Sequence, residues 1–280
     1  MTTALYPSRR KLLCFGAGVI AAMPFLAAQA GAVPRAAIRT LGLIVPPAGD
    51  ILPPEPQQMY PEGFRFISKG LGLERLTVQG YSSVIDRVAE LSSGLAAEGA
   101  EAIVLMGTSL SFFRGAAFDA ELIATMQKAS GRPAITMSRA VVEALREVGA
   151  RRLAVGTAYV DEVNAKLVAY MTESGFEVQG LRSLQLGDVA SVLKAQPQDV
   201  MNVGLEAAAA SPSADALFIS CGGLRTLNLL ARLEKATKLP VVSSATAGAW
   251  GGVRLVGHSG NVEGYGCQLS EADRCGIDGA

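Results

Sequence analysis

Two apolar segments that each run into a cluster of small and hydroxyl residues constrain the fold of this chain most. They are Val104-Leu105-Met106-Gly107-Thr108-Ser109 and Leu217-Phe218-Ile219-Ser220-Cys221-Gly222-Gly223. A short continuous apolar run is typical of a strand buried on both faces of a parallel sheet. We expect each cluster to open a helix. The two segments predict a duplicated strand–loop motif, which has a thiol in its second copy and a glycine at the corresponding position of its first copy.

The rest of the chain alternates strand-like and helix-like segments. Predicted strands are Leu41–Val45, Phe64–Ser68, Ala102–Met106, Ala134–Met137, Arg152–Val155, Phe176–Gln179, Ala216–Ile219 and Pro240–Ser243. Predicted helices are Tyr81–Ala96, Ala117–Ala129, Ser138–Val148, Asp161–Ser174, a segment ending at Ala210, and Leu224–Thr237, with a proline-rich loop over Ala48–Glu62. This order indicates right-handed βαβ units and parallel sheets. We predict an α/β fold with two pseudo-symmetric lobes, each a parallel sheet flanked by helices, and the active site in the cleft between them.

Length and charge bound the organisation further. The chain has 280 residues, half of them hydrophobic, and a formal net charge of zero. That composition suits a well-buried core and gives no basic surplus for nucleic acid. We expect lobe one at about 38–148, lobe two at about 149–249, and a C-terminal segment that returns to lobe one.

The N-terminus has the composition of an export signal. Ser8-Arg9-Arg10 precedes an apolar run from Cys14 to Ala28, followed by Ala28-Gln29-Ala30. A charged start, a short apolar core and small residues at a cleavage position are typical of a signal peptide, and the paired arginines of a twin-arginine signal. We predict a signal over residues 1–32, a catalytic unit over 33–280 and a periplasmic location. A frayed extension or a mis-chosen start, with a cytoplasmic protein, is the alternative. No later segment is apolar and long enough to span a bilayer.

The cysteines and the single histidine give one distinctive candidate. Cys221 has no partner near it in the chain, whereas Cys267 and Cys275 could form a disulfide in an exported protein. Sequence alone leaves that pairing open. A Cys221–His258 pair is conceivable but has no supporting motif. No cluster of ligands suggests a metal, and neither a dinucleotide fingerprint nor a P-loop is present.

The two loops predict a carboxylate pocket. Ligands of open parallel sheets bind beyond the carboxyl ends of the strands, where helix amides favour anions. Thr108 and Ser109 would supply hydroxyl donors, and the amides around Cys221 and Gly222 lie beside small side chains. Tyr159 follows another strand and could point into the same cleft. The alternative is structural: Thr and Ser cap helices, Gly permits turns, and Tyr159 packs.

Several motifs together resemble a known family. They are Gly42-Leu43-Ile44-Val45-Pro46-Pro47, Gly70-Leu71-Gly72-Leu73, Gly80-Tyr81, Met106-Gly107-Thr108-Ser109-Leu110-Ser111-Phe112, Thr157-Ala158-Tyr159, Ser220-Cys221-Gly222-Gly223-Leu224 and Pro240-Val241-Val242-Ser243-Ser244. From about Leu41 to Gly266 the chain resembles the bacterial arylmalonate decarboxylases of the aspartate/glutamate racemase superfamily.

The resemblance implies a carbon–carbon lyase that decarboxylates disubstituted malonates without metal or organic cofactor. Its substrate would be a small dicarboxylate, and a monomer would be the favoured state. One carboxylate would be held by Thr108, Ser109, Tyr159 and the amides of Cys221 and Gly222. The other would lie against an apolar wall made of Pro46, Leu73, Leu76, Tyr81, Val189 and Val192. Cys221 would then protonate one face of the enediolate, giving one enantiomer of an α-aryl acid.

Two other functions remain open at this point. Racemases and maleate isomerases of the same superfamily carry a thiol on each loop, and Gly107 in place of the first thiol counts against two-face proton exchange. An exported carboxylate-binding protein would also have two α/β lobes and a signal. It would bind carboxylates without turnover and would need no thiol.

Overall fold

The computed structural model describes residues 38–270. The signal predicted at residues 1–32 lies outside the described residues. Cys275 also does, so its pairing with Cys267 stays a prediction.

Two parallel sheets of the same strand order form the framework. The first has the order β2-β1-β3-β4 and the second β6-β5-β7-β8. Their strands are β1 (Arg39–Val45), β2 (Phe64–Gly70), β3 (Ala102–Leu105), β4 (Ala134–Thr136), β5 (Arg152–Thr157), β6 (Glu177–Ser183), β7 (Ala216–Ser220) and β8 (Val241–Ser243). Every residue of β3 and β7 is buried, as their continuous apolar runs predict. The predicted fold class is confirmed.

Helices flank both sheets. They are α1 (Pro54–Met59), α2 (Val78–Val84), α3 (Val88–Ala97), α4 (Thr108–Phe112), α5 (Ala116–Ser130), α6 (Met137–Glu147), α7 (Asp161–Glu173), α8 (Val189–Lys194), α9 (Pro197–Ala209), α10 (Leu230–Thr237) and α11 (Ser244–Arg254). Short 3₁₀ turns occur at Ile85–Arg87, Leu227–Leu229 and Cys267–Leu269. Within residues 38–270, none of these helices has the length and apolar character that crossing a bilayer would need.

The last helix of each half packs against the other half. Helices α6 and α11 contact each other, α11 also contacts β3 and β4, and α6 contacts β8. Small residues permit this approach, since a Cβ on Gly251 would lie 2.8 Å from the Cβ of Ala140. Directly beyond α11 the chain contacts the first half, where Arg39 Nη1 donates to the Val256 carbonyl at 3.0 Å and Tyr60 donates to the Gly260 carbonyl at 2.7 Å. Further along, the Cys267 amide donates to the Glu234 carboxylate on α10 of the second half at 3.0 Å.

Polar contacts also join the two halves. Asp119 on α5 is fully buried and accepts hydrogen bonds from the Tyr170 phenol on α7 at 3.1 Å and from the Thr136 hydroxyl. Glu173, at the end of α7, accepts from the Ala116 amide at 2.7 Å. These hydrogen bonds join α5 of the first half to α7 of the second half.

Three local predictions were wrong in detail. The predicted loop Ala48–Glu62 contains α1, which begins with a proline whose fixed φ suits the first helical position. The predicted helix Tyr81–Ala96 is broken by the turn at Ile85–Arg87. The predicted helix from Leu224 starts regularly only at Leu230, because the segment after Cys221 forms turns instead.

Candidate active site

The carboxyl ends of the central strands of both sheets converge on one cavity. Its volume is about 130 Å³, several times the roughly 10–15 Å³ that one water molecule needs on the same measure. The cavity is lined by Val45, Pro46, Pro47, Ile51, Leu52, Pro53, Pro54, Glu55, Leu73, Leu76, Met106, Gly107, Thr108, Ser109, Tyr159, Val189, Val192, Leu193, Cys221, Gly222, Gly223 and Arg225. It therefore has room for a small organic molecule.

Nearly all residues predicted from the sequence line this cavity. The donor candidates Thr108, Ser109, Tyr159, Cys221 and Gly222 do so together with Gly107. The predicted apolar wall is represented by Pro46, Leu73, Leu76, Val189 and Val192. The walls of the cavity thus combine hydrogen-bond donors with hydrocarbon side chains.

Tyr81 lies outside this lining. The residue is fully buried, and its phenol oxygen has no hydrogen-bond partner of normal geometry among residues 38–270. Burial raises the pKa of Tyr81, while the nearby Ser109 hydroxyl lowers it. Tyr81 therefore lies behind Ser109 and contacts the Phe113 ring, with centroids 5.4 Å apart.

Hydrogen bonds of hydroxyl groups hold the first loop, Gly107-Thr108-Ser109, in place. Gly107 is extended, with φ −146°, and Thr108 begins α4. The Thr108 hydroxyl donates to the sulfur of Met137 at 3.1 Å. The backbone carbonyl of Thr108 accepts from the hydroxyls of Ser111 at 3.0 Å and Ser138 at 2.9 Å. These bonds fix the backbone of Thr108 at the cavity.

Tyr159 is also fixed through its backbone. Its carbonyl accepts from Asn164 Nδ2 on α7 at 2.9 Å and from the Ser183 hydroxyl at the end of β6. Its phenol oxygen accepts from the Ser220 hydroxyl at 3.4 Å. Burial raises the pKa of Tyr159 well above its ordinary value, so the phenol stays a hydrogen-bond donor at neutral pH.

Cys221 occupies a strained position. It directly follows β7 and has φ +132°, a backbone conformation that residues other than glycine rarely adopt. Its backbone amide donates to the Ser244 hydroxyl on α11 at 3.2 Å, and its carbonyl accepts from the Leu224 amide at 3.2 Å. Such backbone strain costs of order 1–3 kcal/mol and clusters at functional sites.

The thiol of Cys221 is a protonated acid in this environment. Burial raises its pKa to about 11, although the amides of Gly223 and Leu224 and the phenol of Tyr159 oppose that shift. The sequence prediction that this cluster opens a helix was wrong, because the residues after Cys221 form turns. Desolvation therefore governs the pKa of this thiol.

Sequence reasoning missed two charged residues of the cavity. Glu55 lies in α1, and Arg225 lies four residues after Cys221. The proximity of Arg225 to the Cys-Gly-Gly segment was a usable signal. No sequence signal indicated Glu55, because its segment was predicted to be a loop.

His258 does not take part in the cavity. Its ring packs edge-on against Tyr60 and Phe64, with centroid distances of 5.5 and 5.3 Å. Its Nδ1 accepts from the Gly260 amide at 3.0 Å. The alternative of a Cys221–His258 pair is therefore wrong. Between residues 38 and 270, no group of three or more His, Cys, Asp or Glu side chains is placed to hold a metal ion.

The sequence is similar to characterised decarboxylases and isomerases. The profile of the arylmalonate decarboxylase family matches residues 41–269. Arylmalonate decarboxylase from Bordetella bronchiseptica is 41% identical over 239 residues, which cover 85% of this chain and 99% of that protein. Maleate isomerase from Nocardia farcinica is 29% identical over 230 residues, covering 76% of this chain and 88% of the isomerase.

Solved structures of both kinds of enzyme share this fold, and the decarboxylases are the more similar in sequence. A liganded arylmalonate decarboxylase mutant, with one glycine changed to cysteine and one cysteine changed to serine, superposes with a TM-score of 0.80 at 41% identity. The match covers 82% of this chain and 98% of that structure. A maleate isomerase from Pseudomonas putida S16 has a TM-score of 0.75 at 22% identity, covering 84% of this chain and 99% of the isomerase; it shows the shared fold.

Proposed function

The chain belongs to the arylmalonate decarboxylase family, and we propose that it converts disubstituted arylmalonates into carbon dioxide and a chiral α-aryl carboxylic acid. One observation carries this proposal. A single buried thiol, Cys221, lines a cavity whose walls combine hydrogen-bond donors with hydrocarbon side chains, and Gly107 stands at the corresponding place in the other loop.

The retained carboxylate is proposed to bind the donors. Thr108, Ser109 and Tyr159 supply hydroxyl groups, and Gly222 supplies an amide. The amide of Cys221 already donates to Ser244, and the Thr108 hydroxyl already donates to the sulfur of Met137, so each would have to exchange that bond to bind the carboxylate. Preorganised donors of this kind are worth about 10²–10³ in rate each, because they stabilise the charge that develops in the transition state.

The departing carboxylate is proposed to face the apolar wall. There the anion loses hydration, and cleavage of its bond to the α-carbon releases neutral carbon dioxide. The electron pair of that bond passes into the retained carboxylate and forms an enediolate. Pro46, Leu73 and Val192 belong to this wall. Desolvation of a leaving carboxylate favours its loss, although how much rate it contributes is debated for enzymes generally.

Cys221 is proposed to complete the reaction. Its Sγ–H bond breaks, the proton forms a C–H bond at the α-carbon, and the resulting thiolate regains a proton from water. Because the cavity has one thiol, the proton arrives on one face and gives one enantiomer. The raised pKa of Cys221 keeps the thiol protonated at neutral pH.

The family mutant supports the assignment of the two positions. Its substituted glycine and cysteine are 114 residues apart. Gly107 and Cys221 have the same separation in this chain. We therefore propose that these two residues correspond to the pair changed in that decarboxylase.

Isomerisation or racemisation is the weaker alternative. The match to maleate isomerases supports it, but exchange at both faces needs an acid on each side. The cavity presents Gly107 at the second position. An exported carboxylate-binding protein would need neither Cys221 nor its strained backbone.

The experiment follows carbon dioxide release and product chirality with 2-methyl-2-phenylmalonate. We expect release with one enantiomer in excess, unchanged by a chelator, and almost none from Cys221→Ser, because a hydroxyl is a far poorer acid than a thiol. Ser211→Ala, remote from the cavity, is the matched control. Normal turnover by Cys221→Ser would contradict the assigned proton donor, and no release by the unmodified protein would contradict the proposed reaction.

Export and assembly are proposed on sequence grounds. The twin-arginine pattern at Arg9-Arg10 supports a periplasmic location after cleavage near residue 32. Cell fractionation of the full chain and of Arg9→Lys/Arg10→Lys tests this, since the variant should stay in the cytoplasm. We propose a monomer, which sedimentation of the purified protein would verify.

A further inference from the structure

The cavity is lined by two charged residues that the decarboxylation itself does not use. Glu55 lies in α1, in the first half of the chain, and Arg225 lies beyond β7 in the second half. All other lining residues are apolar or neutral. A charge of each sign therefore borders a site that is otherwise built for a hydrocarbon substituent and two carboxylates.

The carboxyl group of Glu55 is buried but has no ion-pair partner. The residue is 4% exposed. Burial raises the pKa of Glu55, its own backbone amide lowers it, and the charge of Arg225 lowers it further. The two side chains influence each other yet form no direct ion pair among the described residues. Both side chains therefore line the cavity without being paired with each other.

Arg225 is exposed, and among residues 38–270 its guanidinium makes no direct hydrogen bond or ion pair. Exposed apolar side chains surround the same mouth: Ile51 is 67% exposed and Leu193 49%. Exposed large apolar residues at a cavity rim are typical of a ligand contact. Arg225 thus lies at the open side of the cavity and Glu55 in its buried wall, and both border the space into which an aromatic substituent would extend.

The pair selects a neutral group by its charges. An anion would be attracted by Arg225 and repelled by ionised Glu55, and a cation would meet the reverse. A hydroxyl group can donate to the Glu55 carboxylate while it accepts from the guanidinium. It can also accept from Glu55 when that carboxyl is protonated, so both protonation states are satisfied.

We propose that Glu55 and Arg225 form a subsite for a hydroxyl group at the outer end of the substrate's aromatic substituent. The substrate class is then hydroxyarylmalonates. This inference rests on the proposed decarboxylation. A site built to hydrogen-bond a hydroxyl discriminates strongly against the analogue that lacks it, because its own polar groups are then left unpaired.

The experiment compares kcat/KM for 2-methyl-2-phenylmalonate and its 4-hydroxyphenyl analogue. We expect the hydroxyl to raise kcat/KM by at least about tenfold in the unmodified protein. The ratio of kcat/KM for the 4-hydroxyphenyl analogue to kcat/KM for 2-methyl-2-phenylmalonate should fall toward one in the double variant Glu55→Gln/Arg225→Leu. Arg232→Leu, on the exposed side of α10, is the matched control and should keep the full ratio. Circular dichroism of each variant shows whether it is folded.

The outcomes separate this inference from the proposed function. Release of carbon dioxide from neither substrate would contradict the decarboxylation. Turnover of both substrates with a ratio near one, or a ratio that survives Glu55→Gln/Arg225→Leu, would overturn the hydroxyl subsite alone. A 4-carboxyphenyl analogue that outperforms the hydroxyl would also overturn it, because the subsite would then be one for anions.

Discussion

The backbone amide of Cys221 donates a hydrogen bond to the hydroxyl of Ser244, 3.2 Å away. Ser244 is the first residue of α11, the helix that packs against α6. The bond therefore connects the thiol-bearing turn to the helix pair between the two sheets. It stabilises a residue whose φ of +132° would otherwise relax.

Removing this bond should destabilise the protein. In Ser244→Ala the buried amide of Cys221 loses its acceptor, which costs about 1–3 kcal/mol. We expect a lower free energy of unfolding in urea and a lower kcat. Ser211→Ala provides the control, because the Ser211 hydroxyl is buried without a partner. Equal stabilities of the two variants would contradict a stabilising role for Ser244.

The strain at Cys221 predicts an inverted order of two substitutions. Glycine is normally about 0.5–1 kcal/mol less stable than alanine in regular structure. At φ +132° glycine relieves a cost of order 1–3 kcal/mol. We therefore expect Cys221→Gly to unfold at a higher denaturant concentration than Cys221→Ala, with both variants inactive. A clearly less stable Cys221→Gly would show that the turn is unstrained.

The burial of Cys221 predicts an unusual pH profile. The thiol is the acid form, so activity should be present below its pKa and lost above it. The pKa of about 11 places that loss far above neutrality. An ordinary cysteine has a pKa near 8.5. We expect kcat to be constant through pH 9 and to fall toward pH 11. A decline centred near pH 8.5 would contradict a desolvated thiol.

The parallel sheets were predictable because the signal is local. The apolar runs of β3 and of β7 up to Ile219 are four residues each and have no polar face, so we expect both strands to be buried between layers of helices. The motifs around Thr108 and Cys221 likewise lie at strand ends, where parallel topology brings them together. The fold and most residues of the cavity follow from these patterns.

Other features depend on tertiary contacts and had no local signal. The prolines around α1 led to the prediction of a loop, although a proline can begin a helix. Cys221 has φ +132°, and its amide bonds Ser244, 23 residues away. Tyr81 was assigned to the apolar wall by family pattern, yet it lies behind Ser109. Glu55 and Arg225 come from different halves of the chain, and they line the same cavity only because both halves contribute to its wall.

A second thiol should introduce racemisation. A Cβ on Gly107 would lie 2.6 Å from Cδ1 of Leu110, the far end of a flexible side chain that can move. Gly107→Cys should therefore fold and slowly interconvert the enantiomers of an α-aryl acid, because each face then has an acid. Gly107→Ala adds the same Cβ without the thiol and should not racemise. Chiral chromatography after prolonged incubation gives the readout. Absence of racemisation by the folded cysteine variant would count against opposed faces.

The enantiomer formed by Gly107→Cys/Cys221→Ser tests the central claim most directly. The account places the proton donor of the enediolate at Cys221, on one side of the substrate, and the vacant position at Gly107 on the other. Moving the thiol between them should reverse the configuration of the product from 2-methyl-2-phenylmalonate, at a reduced rate. The same enantiomer as that of the unmodified protein would contradict the account, because the proton would then come from a group other than the thiol.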